Sequence, residues 1–197
     1  SASLMNNSWN AIYDVMNICK TIINKTDPDG GSEAGNNSAR GIAQILMAYN
    51  LAVTTDMWGD VPYSEAFQGS DNLNPAYDDA SGLYTEVQRL LDEGIANLNN
   101  SGSIDADDYI YGGDIDSWVR AAYSLKARFH LRLTNVNGAT AAQDALDALA
   151  NGFTSADEDM LFNEYAGVAL PNANPWGEYW YYRDHNSIST TFYNILN

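Results

Sequence analysis

Apolar side chains recur every three to four residues through most of this chain as far as residue 150, the period a helix needs to bury one face. Residues 4–24 place Met5, Trp9, Ile12, Met16, Cys19 and Ile23 on one stripe, and Asp27-Pro28-Asp29-Gly30-Gly31 ends it. A second helix is expected over 37–56, with Ile42, Leu46, Tyr49 and Val53 inward. A third begins near Ala80 behind an Asp79 cap and carries Leu83, Val87, Leu90, Leu91, Ile95 and Leu98. A fourth spans 114–135 on Trp118, Ala122, Leu125, Phe129 and Leu133, and a short Ala-rich fifth spans 140–150 before Asn151-Gly152. Residues 64–78, 99–113 and 153–187 read as loops, and 189–196 as the start of a sixth helix.

The fold class is therefore all-α, in a single helical domain over residues 1–197. Helices two and three, and again four and five, form antiparallel hairpins, stacked in a tetratricopeptide-like manner with long decorated loops. The repeat consensus of about 34 residues is not met, so any repeat is diverged. A chain of 197 residues can bury roughly 70% of its unfolded surface in one core.

The bend between helices two and three is Met57-Trp58-Gly59-Asp60-Val61-Pro62-Tyr63. Gly59 opens backbone conformations closed to other residues, and Pro62 fixes one φ and donates no N–H. Asp60 is suited to accept backbone N–H bonds there. Trp58 and Tyr63 bracket the kink with two amphipathic rings, either to staple helices or to present part of a ligand or transporter surface.

Charge narrows the partners. A formal net charge of −17 excludes nucleic acid as the expected partner, because phosphate binding is driven by Lys and Arg. Tyr and Trp number 13 and 5 against 5 Phe, a balance suited to rings that keep one edge wet. Cys19 is the only cysteine and falls among apolar neighbours, as a buried free thiol would. No run of apolar residues approaches the length of a membrane span.

Several ordered segments resemble the SusD/RagB family, the starch-binding-type outer-membrane lipoproteins of Bacteroidetes. They are residues 9–13, residues 43–63 with Tyr49 and Trp58-Gly59-Asp60-Val61-Pro62-Tyr63, Tyr77-Asp78 leading into Leu83-Tyr84, and Leu91-Asp92-Glu93-Gly94-Ile95. Gly112-Gly113-Asp114 with Trp118 through Arg128 and Arg132, and Asn174-Pro175-Trp176 with Arg183-Asp184, complete the series. Members of that family are more than twice as long and begin with a signal peptide and a lipid-carrying cysteine. The resemblance thus implies a fragment that starts after the family's amino-terminal segment and lacks its carboxy-terminal half.

It also implies non-catalytic oligosaccharide binding at the extracellular face of the outer membrane. Delivery would be to a TonB-dependent, SusC-like transporter, with a lipid anchor in the full-length protein. The alternative is a helical-repeat scaffold that binds protein and no glycan.

The expected glycan platform is Asn172, Asn174, Trp176, Tyr179, Trp180, Tyr182, Arg183 and Asp184, with Tyr181 and His185 among them. Pyranose C–H faces stack on rings, while amides, carboxylates and guanidinium groups satisfy hydroxyls. The same rings would equally serve to pack the loop onto the helices. Arg120, Lys126, Arg128 and Arg132 on the fourth helix are expected to pair with acids of neighbouring helices.

Asp27-Pro28-Asp29-Gly30, Asp105-Ala106-Asp107-Asp108 and Asp157-Glu158-Asp159 fit turns, and none reproduces a calcium-loop order, so no metal is expected. No phosphate loop is present, and neither His130 nor His185 has a nucleophile at a recognisable spacing, so neither cofactor nor catalytic residue is assigned.

Overall fold

The computed structural model describes residues 2–100 and 108–162, and beyond these positions 164, 165, 174, 181, 182, 190 and 194. The chain divides into two compact units, Ser1–Met160 and Leu161–Asn197. The first is a series of helices: α1 (Ala2–Lys25), α2 (Asn37–Trp58), α3 (Ala80–Leu98), α4 (Ile115–Arg132) and α5 (Thr134–Leu149). Among the described residues there is no strand, only an isolated two-residue bridge between Val61 and Asp78. The helical, tetratricopeptide-like class expected from the sequence is the one observed. No described helix is long and apolar enough to cross a membrane.

Successive helices run antiparallel, as their cross-contacts show. Asn37 at the start of α2 donates to the Asn100 carbonyl just past the end of α3, while Tyr84 near the start of α3 reaches Asp56 at the end of α2. Arg40 likewise donates to Ile23 O near the end of α1, and Tyr13 to Pro62 O beyond the end of α2. Ser124 of α4 accepts from Phe153 N after α5, and His130 faces Asp144.

The helices α2 and α3 approach closely, and a Cβ on Gly41 would sit 2.8 Å from Gly94 O. A Cβ on Gly94 would meet Ile45 Cγ1 at 2.9 Å and Gly41 O at 3.0 Å. Neither position has room for a side chain, and the two backbones touch.

Asp79 caps α3 by accepting from Ser81 N and Gly82 N, and all six expected stripe residues of that helix are buried. Asp114 caps α4 in the same way. Met16 and Cys19 of α1 are buried, whereas Trp9, Ile12 and Ile23 are half-buried; the side chain of Met5 lies outside the described residues. Burial pushes the free Cys19 thiol up to about 11, which keeps it protonated and inert.

Three expectations need correcting. Ile42, Leu46, Tyr49 and Val53 of α2 are only half-buried, and the deepest positions are Ile45, Ala48, Leu51 and Ala52. The reason is that α2 is flanked by α1, α3 and α4, so it has no single inward stripe. Leu125 and Leu133 of α4 are likewise half-buried. The fifth helix starts at Thr134 directly after α4, and Gly138 at φ 55°, ψ −129° breaks it, so residues 140–150 match only its second arm. The proposed sixth helix lies outside the described residues except Thr190 and Asn194, both helical.

Candidate ligand-binding site

The bend after α2 is fixed by backbone and carboxylates together. Gly59 sits at φ 78°, ψ −122°, and its N–H closes on Thr55 O at 2.8 Å. Asp60 Oδ1 accepts from Ala80 N at 2.9 Å, which ties the bend to the first turn of α3. Val61 and Asp78 exchange both backbone hydrogen bonds, at 3.2 and 3.0 Å.

The Asp78 carboxylate then takes Tyr63 N and Ser64 N at 2.8 Å each and the Ser64 hydroxyl at 2.6 Å. Partial burial alone would raise the Asp78 pKa. The Ser64 hydroxyl and the Ser64 and Tyr63 N–H groups outweigh it and hold the carboxyl below its ordinary value.

Five rings run continuously through this corner. Trp58 meets Trp9 edge-on at 5.1 Å, Trp9 lies 4.6 Å from Tyr13, and Phe67 joins Tyr13 to Tyr63 at 6.1 and 6.2 Å. Such pairs contribute about 0.5–1.5 kcal/mol each beyond burial. Both tyrosine hydroxyls have acceptors, Pro62 O at 2.7 Å for Tyr13 and Glu86 Oε1 at 3.0 Å for Tyr63. Burial first, and nearby acidic groups second, raise both phenols above their ordinary range.

Beside the corner, α1, α2, α3 and the 63–67 loop enclose a hollow of about 340 Å3, within the size range of small-molecule sites, about 300–1,000 Å3. Lys20, Asn24 and Asp27 form one wall and Glu86, Arg89 and Glu93 the other. Gln44, Met47 and Leu90 lie in the hollow with them, and Tyr63 and Phe67 come from the corner.

The charges are tied to one another. Arg89 holds Glu86 through two bonds of 2.6 and 2.7 Å and also pairs with Glu93. Those Glu86 bonds raise its pKa further, so it stays charged. Arg40 pairs with Asp27 at 3.4 Å. Gln44, buried at 2% exposure, donates to Glu93 at 2.9 Å and accepts from Asn97 at 2.7 Å.

The cations of α4 behave as the sequence suggests for three of four. Lys126 pairs with Asp92, Arg132 with Asp56 at 3.2 Å and Arg120 with Glu158 at 3.3 Å. Arg128 has no acidic partner among the described residues. His130 is held toward its neutral form by burial, with Asp144 3.9 Å away.

The acidic loops are turns where they are described. Asp27 accepts from Asp29 N, and Glu158 from Thr154 N. Asp108 accepts from the N–H groups of Ile110, Tyr111 and Gly113 and from the Trp118 indole. Asp105 and Asp107 lie outside the described residues. Among the described residues no group of three acids, His or Cys is placed to hold a metal.

Of the expected glycan platform, Asn174 and Tyr182 are described and both are exposed; Asn172, Trp176, Tyr179, Trp180, Arg183, Asp184 and His185 lie outside the described residues. Tyr181 and Tyr182 are 64% and 59% exposed and meet edge to face at 5.1 Å. The hollow between α1 and α3 is absent from the sequence reading. One signal could have flagged it: Gln44 is a carboxamide set among the buried residues of α2, where an unpartnered amide would be costly.

A family model described as "Starch-binding associating with outer membrane" matches residues 1–197. A SusD/RagB family protein of Bacteroides thetaiotaomicron superposes with a TM-score of 0.83 at 36% identity, over 93% of this chain and 38% of its own. A chitin-binding protein gives 0.66 at 30% identity, over 78% and 33%. A chitin-binding SusD homologue of Flavobacterium johnsoniae gives 0.62 at 28% identity, over 73% and 30%. The chain thus spans about a third of the length of each of these relatives. The comparison with curated proteins gave no match.

Proposed function

Since the chain belongs to the SusD-like family of starch-binding proteins associating with the outer membrane, we propose that it is the helical part of a non-catalytic oligosaccharide-capture protein. In this reading the full-length protein is lipid-anchored at the extracellular face and passes its cargo to a TonB-dependent transporter of the SusC type. The glycan platform is the 172–184 segment, with Trp176, Tyr179, Trp180 and Tyr182 as stacking surfaces and Asn172, Asn174, Arg183 and Asp184 as hydroxyl partners. The corner residues Trp58, Gly59, Asp60, Pro62 and Tyr63 set the helical stand.

The observation that carries the reading is the family match over residues 1–197, joined by two similar structures described as chitin-binding. Stacking on Tyr and Trp orders only two χ angles per ring, so contact forms at low entropic cost. A relay that must release its cargo is served by Kd values from micromolar to millimolar, about 4–8 kcal/mol.

The reading is tested by a glycan array on the full-length protein, followed by calorimetry on Trp176→Ala, Trp180→Ala and Tyr182→Ala. Each substitution is expected to weaken binding. Unchanged affinity in all three removes the segment as platform, and an array without any hit removes glycan capture. The protein-scaffold alternative has one observation in its favour, the exposure of Leu131, Val136, Leu146 and Leu149 on α4 and α5.

A further inference from the structure

The hollow between α1 and α3 is a small-molecule-sized cavity lined by residues of α1, α2, α3 and the 63–67 loop. We propose that it is a second binding site, for a short neutral, hydroxyl-rich saccharide segment. The proposal rests on the glycan-capture reading above for the class of ligand, and on the hollow's own chemistry for the site.

Lys20, Arg40 and Arg89 face Asp27, Glu86 and Glu93, so a chain of net −17 has here a lining of zero formal charge. Arg40 and Arg89 are held by carboxylates, and Glu86 and Glu93 are held by Arg89. An anion would find those guanidinium groups already engaged, and a metal cation would have to strip the carboxylates from them. A neutral ligand disturbs neither and can use the lone pairs and N–H groups left over at each pair.

The lining also offers both polar and apolar surface. The half-buried Ile23 side chain joins the Tyr63 and Phe67 rings as apolar contact for C–H faces, over a floor of buried Met47 and Leu90. Lys20 and Asn24 are exposed on α1, and neither side chain has a hydrogen-bond partner among the described residues. They offer one ammonium and one carboxamide, donors and an acceptor, to hydroxyl groups. An extended peptide is a poorer fit, because the helical walls have their backbone groups paired and offer it side chains only.

At φ 63° Phe67 is the sole described non-glycine residue in left-handed backbone, held there between the Tyr13 and Tyr63 rings. Strained backbone that its surroundings over-determine is a recurrent property of ligand clamps. Here the residue so held is one that lines the hollow.

The test is hydrogen–deuterium exchange on the full-length protein with maltoheptaose and with tri-N-acetylchitotriose at saturating concentration. Backbone protection is expected at residues 20–27 and 63–67 as well as at 172–184. Asn24→Trp, which fills the hollow from an exposed position, should abolish the first two and leave the third. The milder Lys20→Ala/Asn24→Ala pair should weaken the first two about tenfold in ligand concentration, with an unchanged melting temperature.

Protection confined to 172–184 overturns this proposal and leaves glycan capture standing. Protection at 20–27 that survives Asn24→Trp also overturns it. Absence of protection at 20–27 and 63–67 with both sugars overturns this proposal, and only an empty glycan array defeats glycan capture as well, so the two failures are distinguishable.

Discussion

The aromatic corner at 58–67 and the tyrosine pair at 181–182 are built from the same residue types to opposite effect. In the corner, Trp9, Tyr13, Trp58, Tyr63 and Phe67 pack ring to ring across three segments, and both phenols hydrogen-bond inward. Tyr181 and Tyr182 touch each other and leave most of their surface to solvent. The difference lies in what the hydroxyl and the ring faces are left to do. A half-buried ring packed on other rings, with its hydroxyl partnered, contributes chiefly to stability and can lend a ligand only the part that lines the hollow, whereas an exposed ring has a whole face free to stack. Aromatic richness in a sequence therefore does not assign function; exposure of the ring face does.

The comparison breaks first at the corner's backbone. Gly59→Val puts a β-branched residue at φ 78°, ψ −122°, where a Cβ has space but the dihedrals are unfavourable. A loss of about 3 kcal/mol is expected, read as a lower urea midpoint, and an unchanged midpoint would mean that the bend tolerates another geometry.

Next comes Asp78→Asn, which removes the charge accepting from Tyr63, Ser64 N and Ser64 Oγ and should cost about 2 kcal/mol at neutral pH. The folded Asp78 pKa lies below its ordinary value. Its contribution is therefore complete above the ordinary carboxylate range, near pH 4, and disappears as pH falls through the folded value. The stability gap between wild type and Asp78→Asn should accordingly close on acidification. A gap that is constant from about pH 6 to about pH 2 would refute the assignment of the effect to that charge.

How much of this was legible depends on how many neighbours an element has. The stripe of α3 and the Asp79 cap were readable because α3 buries one face and its first turn needs an acceptor at a fixed spacing. The inward set of α2 was not, because burial on several sides erases the period, so that Gln44, Ile45, Met47 and Ala48 are all inside. The break at Gly138 was missed because a glycine amid Thr, Asn and Ala does not announce whether its φ will be positive. The hollow was invisible for a different reason: Lys20, Gln44, Phe67 and Arg89 come from four segments, and no local window contains two of them. The bend at Gly59 stood out because its conformational demand is local.

A finer test within the corner is Tyr63→Phe. It keeps the ring against Phe67 and deletes only the bond to Glu86, which Arg89 continues to hold. A loss of about 1 kcal/mol is expected in thermal or urea unfolding, smaller than that of Asp78→Asn because no charge is lost.

The smallest effect on stability belongs to the tyrosine pair and carries the comparison's sharpest consequence. Tyr181→Ala and Tyr182→Ala remove rings that are more than half exposed, so each should change unfolding free energy by less than about 0.5 kcal/mol. Among the described residues the edge-to-face contact between the two is the ring pairing each makes, and it is lost in both variants alike. If Tyr182 is a stacking surface, its removal forfeits about 0.5–1.5 kcal/mol of glycan binding, which calorimetry on the full-length protein would register as a Kd raised by up to about tenfold. A Tyr182→Ala variant that melts early and binds normally would reverse the assignment, making the pair a packing element like the corner. One that melts normally and binds weakly separates the two uses of aromatic rings in this chain, because exposure would then predict which rings meet ligand.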